Sequence, residues 1–475
     1  MYKICSARRR TASGRPRAGV SVPISLRGMV RVMSDVSPNQ PTAHISELEV
    51  IPLRRPLEAT VTPPGSKSYT NRALVLAALA EGSSLLSGAL FSDDPRFMAG
   101  ALRDLGFEIE SDDTAKTVRV TGAAGHVPRA NAKVFIGNAG TAARFLPPLM
   151  ALGPLDGEGV YELDGTPAMR KRPAGPLLMA LNALGAHASS LEHTDCPPLR
   201  IASGGLKGGS LRLRGDLSSQ YFTGLLMSAP YMRDGLTLEV EGDLVSKPYL
   251  EITAQAMAAF GVHLEIDRFE RFRVEPGKYS ATTYAVEPDA SAASYFFAAA
   301  AVTGGRITVP GLGSNSLQGD LGFVRVLEKM GCTLNMTPTQ TELIGTNNLR
   351  GIEVNMADIS DTAQTLAAVA PFASSPTRIT GIGFIRRKET DRVGAMVREL
   401  NRLGIRALEE EDGLLIHPGQ PKPARVETYD DHRMAMSFAV IGLRAPGVTI
   451  LDPGCSSKTF PAYFQVLEGL RKAQG

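Results

Sequence analysis

The chain has 475 residues, 43% of them hydrophobic and 21% charged, a globular composition with length enough for two to three domains. Its net charge of +3 is local: residues 1–45 carry +7, leaving −4 on a body with dispersed Lys and Arg, which excludes a polyanion-binding face and hence nucleic acid as a partner. The longest apolar run, 295–302, is far shorter than the roughly 18 residues of a membrane span, and four scattered cysteines without CxxC and seven histidines without HExxH imply a reducing compartment and no metal.

Residues 1–45 hold Arg8, Arg9, Arg10, Arg15 and Arg17 among Ser, Gly and Pro with no periodicity, so this segment reads as disordered. It is a start placed too early, with initiation at Met29 or Met33, a dispensable tail, or a targeting signal, being Arg- and Ser-rich and poor in acids. The folded chain then begins near His44, with a strand at 47–52 or 58–62. PPGSKSYTNRALVLAALAEG opens a helix that Ser68 or Thr70 can cap while Lys67 stays solvated. It is no GxxxxGK[ST] loop, because Ser66 separates Gly65 from Lys67.

An apolar helix, a glycine and a short alternating stretch then recur five times. The copies are MAGALRDLGFEIE, LLMALNALGAHAS, AQAMAAFGVHLEI, VRVLEKMGCTLNM and MVRELNRLGIRAL. Gly106, Gly185, Gly261, Gly331 and Gly404 each fit the place where a chain leaves a helix in the left-handed region. Their spacing of 70 to 79 residues exceeds solenoid periods, so each unit holds more than a helix pair. The run 464–472 predicts a sixth helix whose strand is missing. If an N-terminal strand completes that unit, both chain ends share one domain. The fold class is α/β, about six small units with helices covering sheets.

Lys and Arg recur where helices are expected to start: Lys67 and Arg72, Arg144, Arg172, Lys247, Lys388 and Arg392, Arg433, and Lys458. A cation there is disfavoured by up to about 1 kcal/mol, because a helix start already carries partial positive charge. A bound anion reverses that sign. The pattern predicts anionic small molecules held where helix starts converge. Each motif also has a plainer reading: Asn138 or Thr141 as a cap, Ser218 or Ser219 as a cap, Asp361 and Gln364 as a capping pair, RRKETDR as a solvated face, Asp431 as a cap beside a packed His432.

Taken together and in order, PGSKSYTNRALVLAALAEG, GNAGTAAR, RKRP, DLSSQ, GDLVSKPY, DASAASYF, QGD, KETDR, DHRMAMSF and LDPGCSSKTFP resemble the EPSP synthase (3-phosphoshikimate 1-carboxyvinyltransferase) family across nearly all of residues 46–475. The resemblance implies a two-domain inside-out α/β barrel, each domain built from three βαβαββ-type repeats, with the active site in the interdomain cleft. The first domain would be discontinuous, 46–65 plus 286–475, and the second would span 66–285. The implied activity moves the enolpyruvyl group of phosphoenolpyruvate to the 5-hydroxyl of shikimate 3-phosphate by addition and elimination. The implied protein is a cytoplasmic monomer and glyphosate target that takes no cofactor.

Carried over residue by residue, the resemblance places Ser218, Ser219 and Ser246 at the 3-phosphate, Arg72 with Ser68 at the carboxylate, and Asp361 and Lys388 at the ring hydroxyls, with Tyr249 nearby. Phosphoenolpyruvate falls to Lys67, Gly140, Arg172, Arg392, Arg433 and Lys458; Lys67 and Gln220 reach both ligands. Arginine suits such a site because its planar fork pairs with carboxylate or phosphate. Asp361 is expected as base toward the hydroxyl, Glu389 and Lys67 as proton carriers at the enolpyruvyl carbons, with the donor to C3 left open between them, and His432 as an orienting group. Phe384 departs from an Asn that many members set against shikimate 3-phosphate; Ala168 and Phe145 also depart from the common pattern without removing a catalytic group. UDP-N-acetylglucosamine enolpyruvyl transferase is disfavoured, since its reactive-loop cysteine has no counterpart here. RNA 3′-phosphate cyclase is opposed by the acidic body, and a non-catalytic paralogue by the presence of Lys67, Asp361, Glu389 and Arg433.

Overall fold

The computed structural model describes residues 31–32 and 45–474. Helices alternate in character along the chain. The buried series is α1 (Lys67–Leu79), α3 (Ala142–Met150), α5 (Ser219–Ser228), α7 (Ala290–Thr303), α9 (Ala363–Val369) and α11 (His432–Gly442). Small and apolar residues on nearly every side allow this, as in ASAASYFFAAAAVT of α7. The covering series is α2 (Asp93–Asp104), α4 (Gly175–Ala183), α6 (Pro248–Ala259), α8 (Phe323–Lys329), α10 (Arg392–Arg402) and α12 (Tyr463–Ala473). These bury one face and leave the other to solvent, charged in most of them as in RVGAMVRELNR of α10.

After α2, α4, α6, α8 and α10 the chain turns at Gly106, Gly185, Gly261, Gly331 and Gly404, all with φ between +77° and +111°. A strand follows each turn: Glu108–Asp112, His187–Ser190, Glu265–Asp267, Thr333–Thr337 and Ala407–Glu410. The strands form six sheets of three to five members, which flank the buried helices. Both N-terminal stretches are strands. Glu47–Val50 pairs antiparallel with Val448–Leu451, supplying a strand beside the last unit, while Glu58–Val61 pairs parallel with Arg306–Pro310.

One expectation is corrected here: Arg31–Val32, inside the tail read as disordered, is a two-residue strand parallel to Glu58–Val61. That strand leaves a free edge on which backbone groups can pair whatever the side chains are. For the rest of the tail, the expectation of disorder lies outside the described residues.

Among the described residues two large hydrophobic cores result, one from Val50–Val61 and Ala290–Leu470, the other from Ala73–Tyr279, with a small third cluster of Tyr69, Ile252 and Val286. The chain crosses between them twice, side by side: Ser66 N–H donates to the Glu287 carbonyl at 2.8 Å and Asp289 N–H to the Pro64 carbonyl at 2.9 Å. Gly65 is required at this crossing, because a Cβ would lie 1.9 Å from the Gly88 carbonyl oxygen. In the first core, hydroxyls of Ser294, Thr365 and Ser437 meet at 3.1 and 3.3 Å, one each from α7, α9 and α11. Among the described residues, no helix is long and apolar enough to cross a membrane.

Candidate active site

Charged side chains gather where the two cores face each other. Lys67 opens α1; its backbone N–H donates to Asp289 at 3.0 Å, and its Nζ lies 3.5 Å from buried Asp94. Arg392 opens α10, and Arg433 is the second residue of α11. Three cations expected at helix starts stand elsewhere. Arg172, Lys388 and Lys458 lie at the ends of the 3-10 turns Met169–Lys171, Gly383–Arg387 and Pro453–Lys458, where free carbonyls make a cation welcome.

Asp361 is one hub of the cluster. It accepts from Lys388 Nζ at 2.6 Å, Arg433 Nη2 at 2.8 Å, Arg392 Nη1 at 3.3 Å and the Tyr249 hydroxyl at 3.2 Å. It lies in the turn Ala357–Thr362 and makes no side-chain cap, so the pairing with Gln364 is not its role. Glu389 is the second hub, 2.7 Å from Arg392 Nη2, 3.1 Å from Lys458 Nζ and 3.8 Å from Arg172 Nη1. Arg392 also pairs with Asp431 at 2.7 Å, and Asp431 caps α11 through the Arg433 N–H at 2.9 Å. The RRKETDR segment is therefore not simply a solvated face: the side chains of Glu389 and Arg392 are buried, while Arg387 is exposed and Lys388, Thr390 and Asp391 are half-buried.

Burial by itself raises a carboxyl group, yet Arg433, Lys388, Arg392 and Lys67 overcome it and hold Asp361 well below the usual range. Glu389 behaves alike, with Arg392, Lys458 and Arg172 outweighing burial. His432 is also pushed well below its ordinary value, by burial first and then by Arg433, so it is neutral near pH 7. Both its ring nitrogens are buried without a hydrogen-bond partner, as are Nε and Nη1 of Arg172. Such orphaned groups are costly in a finished interior and suit a polar ligand. Lys67, Arg172, Lys388, Arg392, Arg433 and Lys458 outnumber Asp94, Asp361, Glu389 and Asp431, so the cluster has cationic capacity left over.

On the side of the second core, Arg72 is buried and fixed by Thr253, Thr223 and the carbonyls of Ser68 and Tyr249. Ser218 caps α5 through the Gln220 N–H, Ser219 is buried in the first turn, and Ser246 holds φ +58° just before α6. Tyr249 joins this group to Asp361. Gly140 lies against Arg172: a Cβ there would stand 2.6 Å from Nη1. Phe384 sets its ring 5.6 Å from Lys388 Nζ, a cation–π contact where a polar side chain was expected. The facing halves also touch directly. Ser92 Oγ donates to the Lys458 carbonyl at 2.8 Å, Ser457 Oγ to Asp93 at 2.5 Å, and Lys458 Nζ to the Asn138 carbonyl at 2.9 Å.

Sequence reasoning missed Asp94 and saw in Asp431 only a cap. Two acids in the first turn of α2 look like ordinary helix-start residues, and no spacing marks Asp94 as the neighbour of Lys67.

Comparison with known proteins gives one answer. The family described as EPSP synthase (3-phosphoshikimate 1-carboxyvinyltransferase) matches residues 52–467. The 3-phosphoshikimate 1-carboxyvinyltransferase of Nostoc punctiforme is 48% identical over 418 residues, 88% of this chain and 97% of its own length. The chloroplastic protein of that name from Arabidopsis thaliana is 44% identical over 460 residues, 93% and 87% of the two chains. A solved EPSP synthase from Acinetobacter baumannii superposes with a TM-score of 0.76 at 25% identity, covering 89% of this chain and 98% of that one.

Proposed function

Because the chain belongs to the EPSP synthase family, we propose the following reading of its cleft. The protein transfers the enolpyruvyl group of phosphoenolpyruvate to the 5-hydroxyl of shikimate 3-phosphate, releasing phosphate. The observation that carries the reading is the buried excess of cations around Asp361 and Glu389, with Nε and Nη1 of Arg172 left without a hydrogen-bond partner. Phosphoenolpyruvate, with a carboxylate and a phosphate, lies along Lys67, Arg172, Arg392, Arg433 and Lys458, beside Gly140. Shikimate 3-phosphate sets its phosphate on Ser218, Ser219 and Ser246, its carboxylate on Arg72 with Ser68, and its hydroxyls on Asp361 and Lys388 with Tyr249 nearby, while Gln220 spans both ligands.

Asp361 takes the proton of the attacking 5-hydroxyl, while Glu389 or Lys67 protonates C3 and later recovers that proton. Glu389 is ionised until the donor arrives. The donor's anionic groups then draw Arg392, Lys458 and Arg172 toward themselves, and Glu389 gains proton affinity at the moment it needs it. His432, neutral and buried, orients the reacting groups. The cations stabilise phosphate as it leaves.

The two cores correspond in this reading to domains at 46–65 plus 286–475 and at 66–285, each of three repeated units arranged as an inside-out barrel. The alternation of six buried and six covering helices supports it. A cytoplasmic monomer suffices, since one chain supplies both walls of the cleft. The decisive experiment measures phosphate release from phosphoenolpyruvate with shikimate 3-phosphate and with UDP-N-acetylglucosamine as acceptors. Release with the first alone is expected; release with the second would overturn the acceptor assignment.

A further inference from the structure

The QGD motif, Gln318 to Asp320, has no part in the reading above, yet all three residues serve one placement. Gln318 Oε1 accepts from the Ala290 N–H at 3.0 Å and its Nε2 donates to the Pro288 carbonyl at 2.7 Å, which locks this turn onto the start of α7. Gly319 permits close approach to α6, since a Cβ would lie 2.7 Å from Pro248. Asp320, buried, is thereby brought 3.3 Å from the Tyr249 hydroxyl, which is itself 3.2 Å from Asp361. One phenol thus stands between two carboxylates. Its single hydrogen serves one contact at a time, and the other becomes a hydrogen bond only when a carboxyl group is protonated. The trio has a built place for one additional proton.

The surroundings decide where that proton rests. Asp361 faces Lys388, Arg433 and Arg392 directly. Asp320 receives only hydroxyl donors, Ser291 and Tyr249, and its second oxygen has no partner. We propose that Asp361, Tyr249 and Asp320 form a proton relay, in which the proton taken from the acceptor's 5-hydroxyl passes from Asp361 through the phenol to Asp320. This rests on the assignment of Asp361 as the base.

The O5–H bond breaks as the bond from O5 to C2 of the donor forms, and the proton goes to Asp361 Oδ2. Asp361 gives it to Tyr249 Oη, whose own proton moves to Asp320 Oδ2, so that only Asp320 ends changed. In the elimination half the departing phosphate gains one proton and Asp320 loses one, which closes the count. The relay solves a problem in the base assignment: a carboxylate pressed by three cations is a poor resting place for a proton, and Asp320 is a better one.

The groups facing Asp320 are Asp361 from its turn, Arg433 from α11, Asp289 and Ser291 from the start of α7, and Tyr249 from α6; the charged residues of α8, Arg325, Glu328 and Lys329, point to solvent. Burial first, and then the charge of Asp361, push the Asp320 carboxyl up to about 6 despite Arg433. Asp320 is then ionised and ready to accept above that pH, and already filled below it.

The test is the pH profile of kcat/KM. Wild-type activity should fall as pH drops through about 6. Asp320→Asn keeps shape and hydrogen bonding but cannot take the proton: kcat should drop by about tenfold or more, with KM for shikimate 3-phosphate within about threefold, and the acid limb should vanish. Tyr249→Phe should likewise lower kcat and remove the acid limb, with KM for shikimate 3-phosphate free to rise because Tyr249 also lies at that ligand, and the double variant should lose no more kcat than the worse single one. If Asp320→Asn does not fold, Tyr249→Phe and its pH profile carry the test. A retained acid limb, or a change confined to KM, overturns the relay. Asp361→Asn separates the two readings: its inactivity beside a normal Asp320→Asn leaves the base and removes the relay, whereas an active Asp361→Asn removes both.

Discussion

Glu389 is where binding and chemistry part company. Glu389→Gln keeps size and hydrogen bonding while removing the titratable carboxyl, so kcat should fall by roughly 10²- to 10⁴-fold, the range for losing a general acid–base group. Affinity for phosphoenolpyruvate should change little, because Arg392, Lys458 and Arg172 lose only a competitor for the same anion. Raised KM with near-normal turnover at saturation would reduce Glu389 to a support for Arg392. Gly140→Ala tests the opposite wall. Its Cβ would displace the flexible Arg172 guanidinium, so inhibition by glyphosate and affinity for phosphoenolpyruvate should both weaken several-fold, with KM for shikimate 3-phosphate unchanged. Equal inhibition of variant and wild type would detach Gly140 from the donor site. Lys67, Arg392 and Arg433 were legible as a repeated wrong-signed charge at helix starts, whereas Arg172, Lys388 and Lys458 were flagged by that argument but stand at the ends of turns. The carboxylate partners were less legible, because Lys67 and Asp94, or Arg392 and Asp431, meet through the convergence of separate helices and no period in the chain records that.

Among the helices, those whose ends obey a local rule were read best. A residue leaving a helix with φ near +90° is nearly always glycine, so five stops and the strands after them stood out. The buried helices carry no amphipathic stripe to betray them, and α7 is simply apolar all round. The 3-10 turns that carry Arg172, Lys388 and Lys458 were invisible, since turns of three to six residues leave too little pattern to distinguish from a helix start. In the first core the hydroxyl trio of Ser294, Thr365 and Ser437 ties α7, α9 and α11 together. Thr365→Val keeps the shape and strands the buried Ser437 hydroxyl, while Ser294 keeps its bond to the Ser291 carbonyl. That change should destabilise the protein by about 1–3 kcal/mol and lower its thermal midpoint while leaving KM values near wild type. An unchanged midpoint would make the trio incidental to stability.

For the molecule as a whole, cations from both cores face one cleft, and two anionic ligands should draw its walls together. The radius of gyration in solution should decrease on adding shikimate 3-phosphate; no change, with binding confirmed separately, would remove closure from the account. The two antiparallel crossings near Gly65 and Pro288 are the natural hinge. That the ends of the chain belong together could be foreseen from the unpaired last helix, but which strand would join it could not, since both candidates alternate alike. Pairing of Glu47–Val50 with Val448–Leu451 has a further consequence for how the protein is born. Everything needed for the core of Ala73–Tyr279 leaves the ribosome together, and that half can fold while synthesis continues. The strand at Glu47–Val50 must instead wait for a partner almost 400 residues downstream, about 20–80 s at about 5–20 residues per second. During that interval it is an unpaired edge tethered to a finished domain, so nascent chains halted before residue 448 should be protease-resistant in their middle and cleavable at their beginning.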